Sequence, residues 1–184
     1  MVFNLGFRIL KQLALGFRAS FASAGTTFAK SQHRVSFRTK LVDLDFFGHM
    51  NNASYIRIGE LSRWHLLMAS SLGRTLLEKR WLFLVVGQTA VYRRQIAPFQ
   101  KFDVVTTSTV SADGKWFNFE HVFVHPGGEV PTESPLAVVD VRVVLKRKSG
   151  KTVRAHELAA VNAWAEEHVL VQVSPKGDGA ARDR

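Results

Sequence analysis

The chain contains no cysteine, which excludes disulfides, thiolate metal sites and a cysteine nucleophile. Its seven histidines lack the spacing of a zinc site, so no metal is expected. Helix-turn-helix, zinc-finger and aromatic RNA-binding strand motifs are all missing, which leaves no basis for specific nucleic-acid binding. Repeats and low-complexity segments are absent, and residues 1–30 hold no Asp or Glu. Nor does that opening segment hold a membrane span. Its apolar run Leu13, Ala14, Leu15 is bounded by Lys11 and Gln12 and by Gly16 and Arg18, far short of the ~20 residues a span needs.

What the opening segment does hold is positive charge. Arg8, Lys11, Arg18 and Lys30 place +4 of the formal +10 there, leaving +6 for the other 154 residues. Apolar residues at helical spacing (Phe3, Phe7, Leu10, then Leu13 and Phe17), spaced bases and several Ser and Thr make the composition of a mitochondrial transit peptide. That reading is favoured over a secretory signal ending at the small residues Ala22, Ser23 and Ala24, and over an interfacial anchor, because the bases run along the whole segment. The 184-residue chain, 46% hydrophobic, fits one compact domain plus tails, and residues 31–170 are that domain. Residues 171–184, ending SPKGDGAARDR, read as a disordered tail.

Within the domain the period of the pattern changes along the chain. Residues 34–42 alternate Val35, Phe37, Thr39 and Leu41 against Arg34, Ser36, Arg38 and Lys40, a strand with one wet face. Ala53 to Leu72 reads as a helix of about five turns. Tyr55, Ile56, Ile58, Gly59, Ser62, Leu66 and Ala69 lie on its apolar side and Arg57, Arg63 and Arg74 off it, with Asn51 and Asn52 as cap residues and Gly73 as its end. Trp81 to Pro98 reads as a long strand, buried first through LFLVV and alternating later. Phe102–Ser111 and Trp116–His125 flank Asp113-Gly114, a hairpin signal. Leu136 to Lys148 is a further strand with Ala137, Val139, Val141, Val143 and Leu145 on one side, and Ala155 to Val169 a short terminal helix.

One strand, a long apolar helix and four antiparallel strands are most simply covered if the sheet curls around the helix. The expected class is therefore α+β, a hotdog fold with a curled antiparallel sheet of about five strands around one long helix. Such a sheet leaves a long edge strand, so a homodimer or higher homo-oligomer is expected.

The densest chemistry lies in Val42 to Tyr55, VDLDFFGHMNNASY. Asp43, Asp45, His49, Asn51 and Asn52 stand among Phe46, Phe47 and Met50, which ask to be buried, and polar groups beside an apolar wall suggest a pocket. The order DLDFFGHMNNASY, then Glu60, then TAVYRRQIAPFQKFDVV, resembles the hotdog acyl-CoA thioesterases of the 4-hydroxybenzoyl-CoA thioesterase type. Within them it looks most like the thioesterase superfamily member 6 group, over roughly Phe37 to Val161.

The resemblance implies hydrolysis of an acyl-CoA to free acid and coenzyme A, with no cofactor. It makes Asp45 the carboxylate that attacks the thioester or activates a water, and His49 a group that polarises the carbonyl or orients that water. The amides near Asn52 and Ala53, at the start of the helix, would hold the oxyanion. Asn51 and Asn52 would fix the loop or bind the acyl-pantetheine amide, and Tyr55, Gly59, Phe83, Val85 and Val91 would wall the tunnel. Arg93 and Arg94, with Lys101 and the cluster Lys146, Arg147, Lys148, Lys151 and Arg154, would form a basic rim for the coenzyme A phosphates.

Plainer readings stand beside these. Asp43 and Asp45 could bond loop amides or pair with Arg93 and Arg94, Asn52 could be only a helix cap, and Glu60 an ordinary helix ion-pair partner. The base cluster could be a solvated face. The alternative function is a silent hotdog protein, a structural subunit of a mitochondrial assembly such as a ribosome or respiratory complex.

Overall fold

Alternation along His33–Arg38 builds β1, with His33, Val35 and Phe37 buried and Arg34, Ser36 and Arg38 outside. In the computed structural model, which describes residues 32–130, 134–159 and 161 and positions 10, 11, 14 and 15, this strand stops earlier than its pattern suggests. A 3-10 turn at Leu41–Asp43 breaks the alternation, so Leu41, expected inside, is 69% exposed while Asp43 is fully buried. The rest of the expected targeting segment, the tail 171–184 and the expected helix at position 160 and beyond 161 lie outside the described residues.

Helix α1 spans Asn52–Ala69 and is capped by Asn51, whose side chain accepts the Ala53 amide at 2.8 Å; Asn52 is the first helical residue, not the cap. The helix ends at Ser70, whose extended backbone redirects the chain and whose hydroxyl donates to Leu67 O at 2.9 Å. A second helix, α2, then covers Ser71–Lys79 and closes at the left-handed Arg80. Gly73 therefore does not terminate α1 as expected but sits inside α2. A Cβ there would lie 2.4 Å from Leu67 O, so the glycine is what lets the two helices meet.

The expected apolar face of α1 is buried at Tyr55, Ile58, Gly59, Ser62, Leu66 and Ala69, while Ile56 is only half-buried. Arg63, expected on the wet side, is buried too, at 4% exposure.

The strands are β2 (Leu82–Tyr92), β3 (Lys101–Val110), β4 (Phe117–Val124), β5 (Ala137–Lys146) and the two-residue β6 (Thr152–Val153), followed by α3 (Ala155–Ala159). All pairs are antiparallel, in the order β1-β3-β4-β5-β2 with β6 on β5. Phe102, Val104, Phe123, Val139 and Val143 from the sheet and Ile58, Leu61 and Leu67 from α1 form the core. The curled antiparallel sheet against one principal helix is a hotdog fold, in the α+β class. β5 buries Ala137, Val139, Val141, Val143 and Leu145 as its alternation requires.

The edge strand β2 departs most from expectation. It ends at Tyr92 because Arg93 and Arg94 both turn their backbone N–H to Leu136 O at 2.9 Å. Its apolar run is not buried: Leu82, Leu84, Val85, Val86 and Val91 remain 43–51% exposed. The pairing with β5 shifts between Val85 and Gly87, a bulge at Val86. Burial depends on what covers a strand, and α1 covers the middle strands, leaving β2 bare.

Candidate functional site

The segment between β1 and α1 organises itself through its own backbone. Asp45 N donates to His49 O at 2.8 Å, Asn51 N to Asp43 O at 2.8 Å, and Leu44 and Met50 form an antiparallel bridge. Met50 N donates to Ile96 O at 3.0 Å and ties the element to the chain after β2. Gly48 takes φ +77, the left-handed region that favours glycine, and donates to Asp45 O. The tight turn throws Phe46 and Phe47 out to 101% and 84% exposure, so of the three apolar residues expected inside only Met50 is buried.

The two aspartates divide their work. Asp43 is sealed; its Oδ1 accepts Arg57 Nη2 at 2.8 Å and its Oδ2 the Lys40 amide at 3.0 Å. Arg57 also donates to Ser54 Oγ at 2.8 Å, so this pair locks the turn onto α1. Asp45 Oδ1 accepts two loop amides, Phe47 N at 2.9 Å and His49 N at 3.1 Å. Its Oδ2 accepts no hydrogen bond from the described residues. Neither aspartate forms an ion pair with Arg93 or Arg94.

Asp45, His49, Asn52, Tyr55, Arg93 and Arg94 come together around one cavity of about 480 Å³, with Phe47, Met50, Tyr92 and Gln95 completing its lining. Asn51 and Ala53 do not line it. Asn51 caps the helix, and the Ala53 amide, expected as an oxyanion donor, is already given to Asn51 Oδ1. The Asn52 amide, the first of α1, has no hydrogen-bond partner among the described residues. Tyr92 and Gln95 are lining residues that the sequence does not single out. Their signal is continuity with Arg93 and Arg94 past the end of β2.

Tyr55 is buried, its ring 5.0 Å from Tyr92 and 5.3 Å from Phe123, with its hydroxyl a long 3.5 Å from Arg94 O. Burial pushes its phenol up from the ordinary value. The Tyr92 hydroxyl donates to Asn52 O at 3.3 Å, joining the strand end to the helix start. Gly59, Phe83, Val85 and Val91, expected as walls, do not line this cavity; Gly59 instead receives the His121 ring, which a Cβ would meet at 3.2 Å.

The expected single basic rim is two separate features. Tyr92 pairs with Ala137 at one end of the β2–β5 ladder and Leu82 with Lys146 at the other. Arg93 and Arg94 thus stand ~30 Å along the sheet from the cluster that starts at Lys146. There Arg147 pairs with Glu157 and lies 5.7 Å from the Trp81 ring, and Arg154 donates to Asp113 O at 2.7 Å. Of the expected rim, only Arg93 and Arg94 line this cavity.

A carboxylate with one oxygen held and the other unbonded, a helix N-terminus beside it and two exposed guanidinium groups at the mouth form a site suited to an anionic ligand with a reactive carbonyl. A family model described as the thioesterase-like superfamily matches residues 39–169. This chain belongs to the thioesterase-like superfamily. No curated protein matches the thioesterase-like chain, but solved structures share its fold. YbaW, a probable thioesterase from Escherichia coli, superposes with TM-score 0.62 at 22% identity, over 74% of this chain and 98% of that one. A gentisyl-coenzyme A thioesterase does so with TM-score 0.55 at 19% identity, over 71% and 98%. A 1,4-dihydroxy-2-naphthoyl-CoA thioesterase from Synechocystis gives 0.58 at 12%, over 71% and 94%. At these identities the likeness is one of fold.

Proposed function

We propose that this thioesterase-like protein hydrolyses an acyl-CoA thioester to the free acid and coenzyme A. The observation that carries the proposal is the divided Asp45 carboxylate, with Oδ1 fixed by two amides and Oδ2 left unbonded in the cavity wall. In this reading Oδ2 removes a proton from water as that water attacks the thioester carbonyl. Negative charge develops on the carbonyl oxygen, and the Asn52 amide and the positive end of the α1 dipole stabilise it. His49 orients the water or the carbonyl. The C–S bond then breaks, and the thiolate of coenzyme A leaves and takes up a proton. Arg93 and Arg94 bind the coenzyme A phosphates. Asn51 acts on substrate only by holding the helix start in place.

Thiol release from short, medium, long and aromatic acyl-CoAs by the full chain tests this reading, and no release from any of them would overturn it. The narrower kinship with the thioesterase superfamily member 6 group stays part of the proposal, supported by the spacing of Asp43, Asp45, His49, Asn51 and Asn52. So does a mitochondrial location, supported by the acid-free basic segment 1–30 and testable by import of a fusion carrying it. The comparisons lend no support to the alternative of a silent structural subunit.

We further infer that β2 pairs with β2 of a second copy. An eleven-residue edge strand with its apolar residues in water is a template for pairing, and an antiparallel partner would continue the sheet and cover them. Leu84→Lys places like charges near each other across such a junction while leaving the monomer's core untouched. The expected result is a fall in solution mass from twice 20.6 kDa to 20.6 kDa by light scattering. A wild-type protein that is already monomeric at micromolar concentration would refute the pairing.

A further inference from the structure

Arg63 is a buried cation that the proposed hydrolysis does not use. Its guanidinium lies 5.9 Å from the centre of the Phe83 ring and 6.0 Å from that of Phe119. Nη1 approaches His121 Nε2 at 3.3 Å. His121 is fully buried, and burial, with Arg63 adding to it, pushes its pKa down to about 3, so the ring is neutral. Because Arg63 can only donate, His121 Nε2 accepts and the ring proton sits on Nδ1. That proton goes to Thr106 Oγ1 at 2.9 Å, and the Thr106 and Ser62 hydroxyls share a hydrogen bond of 2.9 Å.

This chain of donors engages one Arg63 nitrogen and supplies no negative charge. No carboxylate among the described residues forms an ion pair with Arg63. Glu60, the acid nearest along α1, accepts from Trp64 Nε1 at 3.4 Å instead and acts on Arg63 only through space. Arg63 Nε and Nη2 have no hydrogen-bond partner among the described residues. Among the described residues the sealed side-chain atoms without a partner are Arg57 Nε and Arg147 Nε, and no Arg63 nitrogen is one of them. Buried charges are ordinarily paired, and two free guanidinium nitrogens beside the tilted Phe83–Phe119 ring pair form half of a bidentate site.

Phe83 locates that half-site. It belongs to β2, which α1 touches through Tyr55 and Tyr92 at one end and through Trp64 and Phe83, 6.2 Å apart, at the other. The Tyr92 end is the Asp45 cavity. Arg63 stands ~16 Å along α1 from Asn52 by helical rise, about the span of an extended chain of about a dozen carbons.

We propose that Arg63 receives the far end of the acyl group, and that the preferred substrates are coenzyme A thioesters of medium-chain dicarboxylic acids. The proposal rests on the hydrolysis reading and adds the substrate class. A guanidinium fork matches a carboxylate; Phe83 and Trp64 lie outside the lining of the Asp45 cavity, so the methylene chain would run beyond that cavity, along the α1–β2 contact, to reach Arg63. The described residues hold no second unpaired cation here to suit a dianionic phosphate.

The test compares kcat/KM for dodecanedioyl-CoA and dodecanoyl-CoA in the full-length wild type, Arg63→Met and Arg63→Lys. Wild type is expected to favour the dicarboxylic thioester, with the ratio falling about tenfold or more in Arg63→Met and less in Arg63→Lys. Equal values in wild type, or an unchanged ratio in a folded Arg63→Met protein, overturn the proposal. Should the variants fail to fold, calorimetric titration of wild type with non-hydrolysable thioether analogues of the two thioesters decides the matter, equal affinity counting against Arg63. Absence of turnover on every acyl-CoA overturns the hydrolysis reading alone, and the thioether titration still reads Arg63 directly.

Discussion

Replacing Asp45 with asparagine is expected to lower kcat for acyl-CoA hydrolysis by roughly 10² or more, the scale of a positioned acid or base, while leaving the melting temperature almost unchanged. The two consequences separate because the two oxygens of Asp45 have separate tasks. The asparagine side chain would retain an Oδ1 acceptor for the Phe47 and His49 amides, so the turn keeps its shape. What is lost is the charge and basicity of the second oxygen. Asp45→Ala removes both, and should add to the kinetic loss a fall in stability of about 1 kcal/mol from the two released amides. Kinetics and thermal melts on the two variants make the check. An Asp45→Asn enzyme working at the wild-type rate would show that Asp45 is only a loop former.

Lowering the pH from 7 to 5 is expected to reduce the folding free energy by about 4 kcal/mol, about 2 kcal/mol for each of two buried histidines. Burial, with His65 adding to it, pushes the His33 pKa down to about 4; burial, with Arg63 adding, takes that of His121 to about 3. In the unfolded chain both return to about 6.5. Above that value both states are neutral and the histidines cost nothing. As pH falls through it the unfolded state binds protons that the folded state refuses, so stability declines until the folded pKa values are reached. His65, lowered by burial, pulls in the same direction.

Carboxylates act below this window. Burial would raise the Asp103 pKa, but hydrogen bonds from Ser36, Gly127 and Arg34 outweigh it and hold the group below its ordinary value. Urea unfolding at stepped pH measures the slope, and His33→Gln should flatten it by about half. A profile level from pH 7 to pH 5 would mean that both rings are hydrated.

The features read correctly from sequence are those set by neighbours a few residues away. The turn at Asp113-Gly114, the alternation of β5, the asparagine-marked start of α1 and the gathering of Asp45, His49 and Asn52 are all of this kind. The failures have long-range causes. Arg63 looks like a solvent-facing residue in a helical pattern, and only the arrival of His121 and Phe83 from distant strands makes it interior. The apolar run of β2 announces burial, yet its place at the sheet edge leaves it bare. Arg93–Arg94 and Lys146–Arg154 look alike as charge, and only the direction of the β2–β5 ladder separates them.

The turn from Asp43 to Asn51 closes on itself through Asp43 O, Asp45 N, His49 O and Asn51 N. The distance between Asp45 and His49 is therefore set by nine consecutive residues and owes little to the sheet beneath them. Such an element is portable. Insertions in the strands or repacking of the core can change what the cavity admits without retuning the pair at its mouth, so acyl specificity and the reacting groups are free to diverge separately, and an engineer could re-cut one while leaving the other untouched.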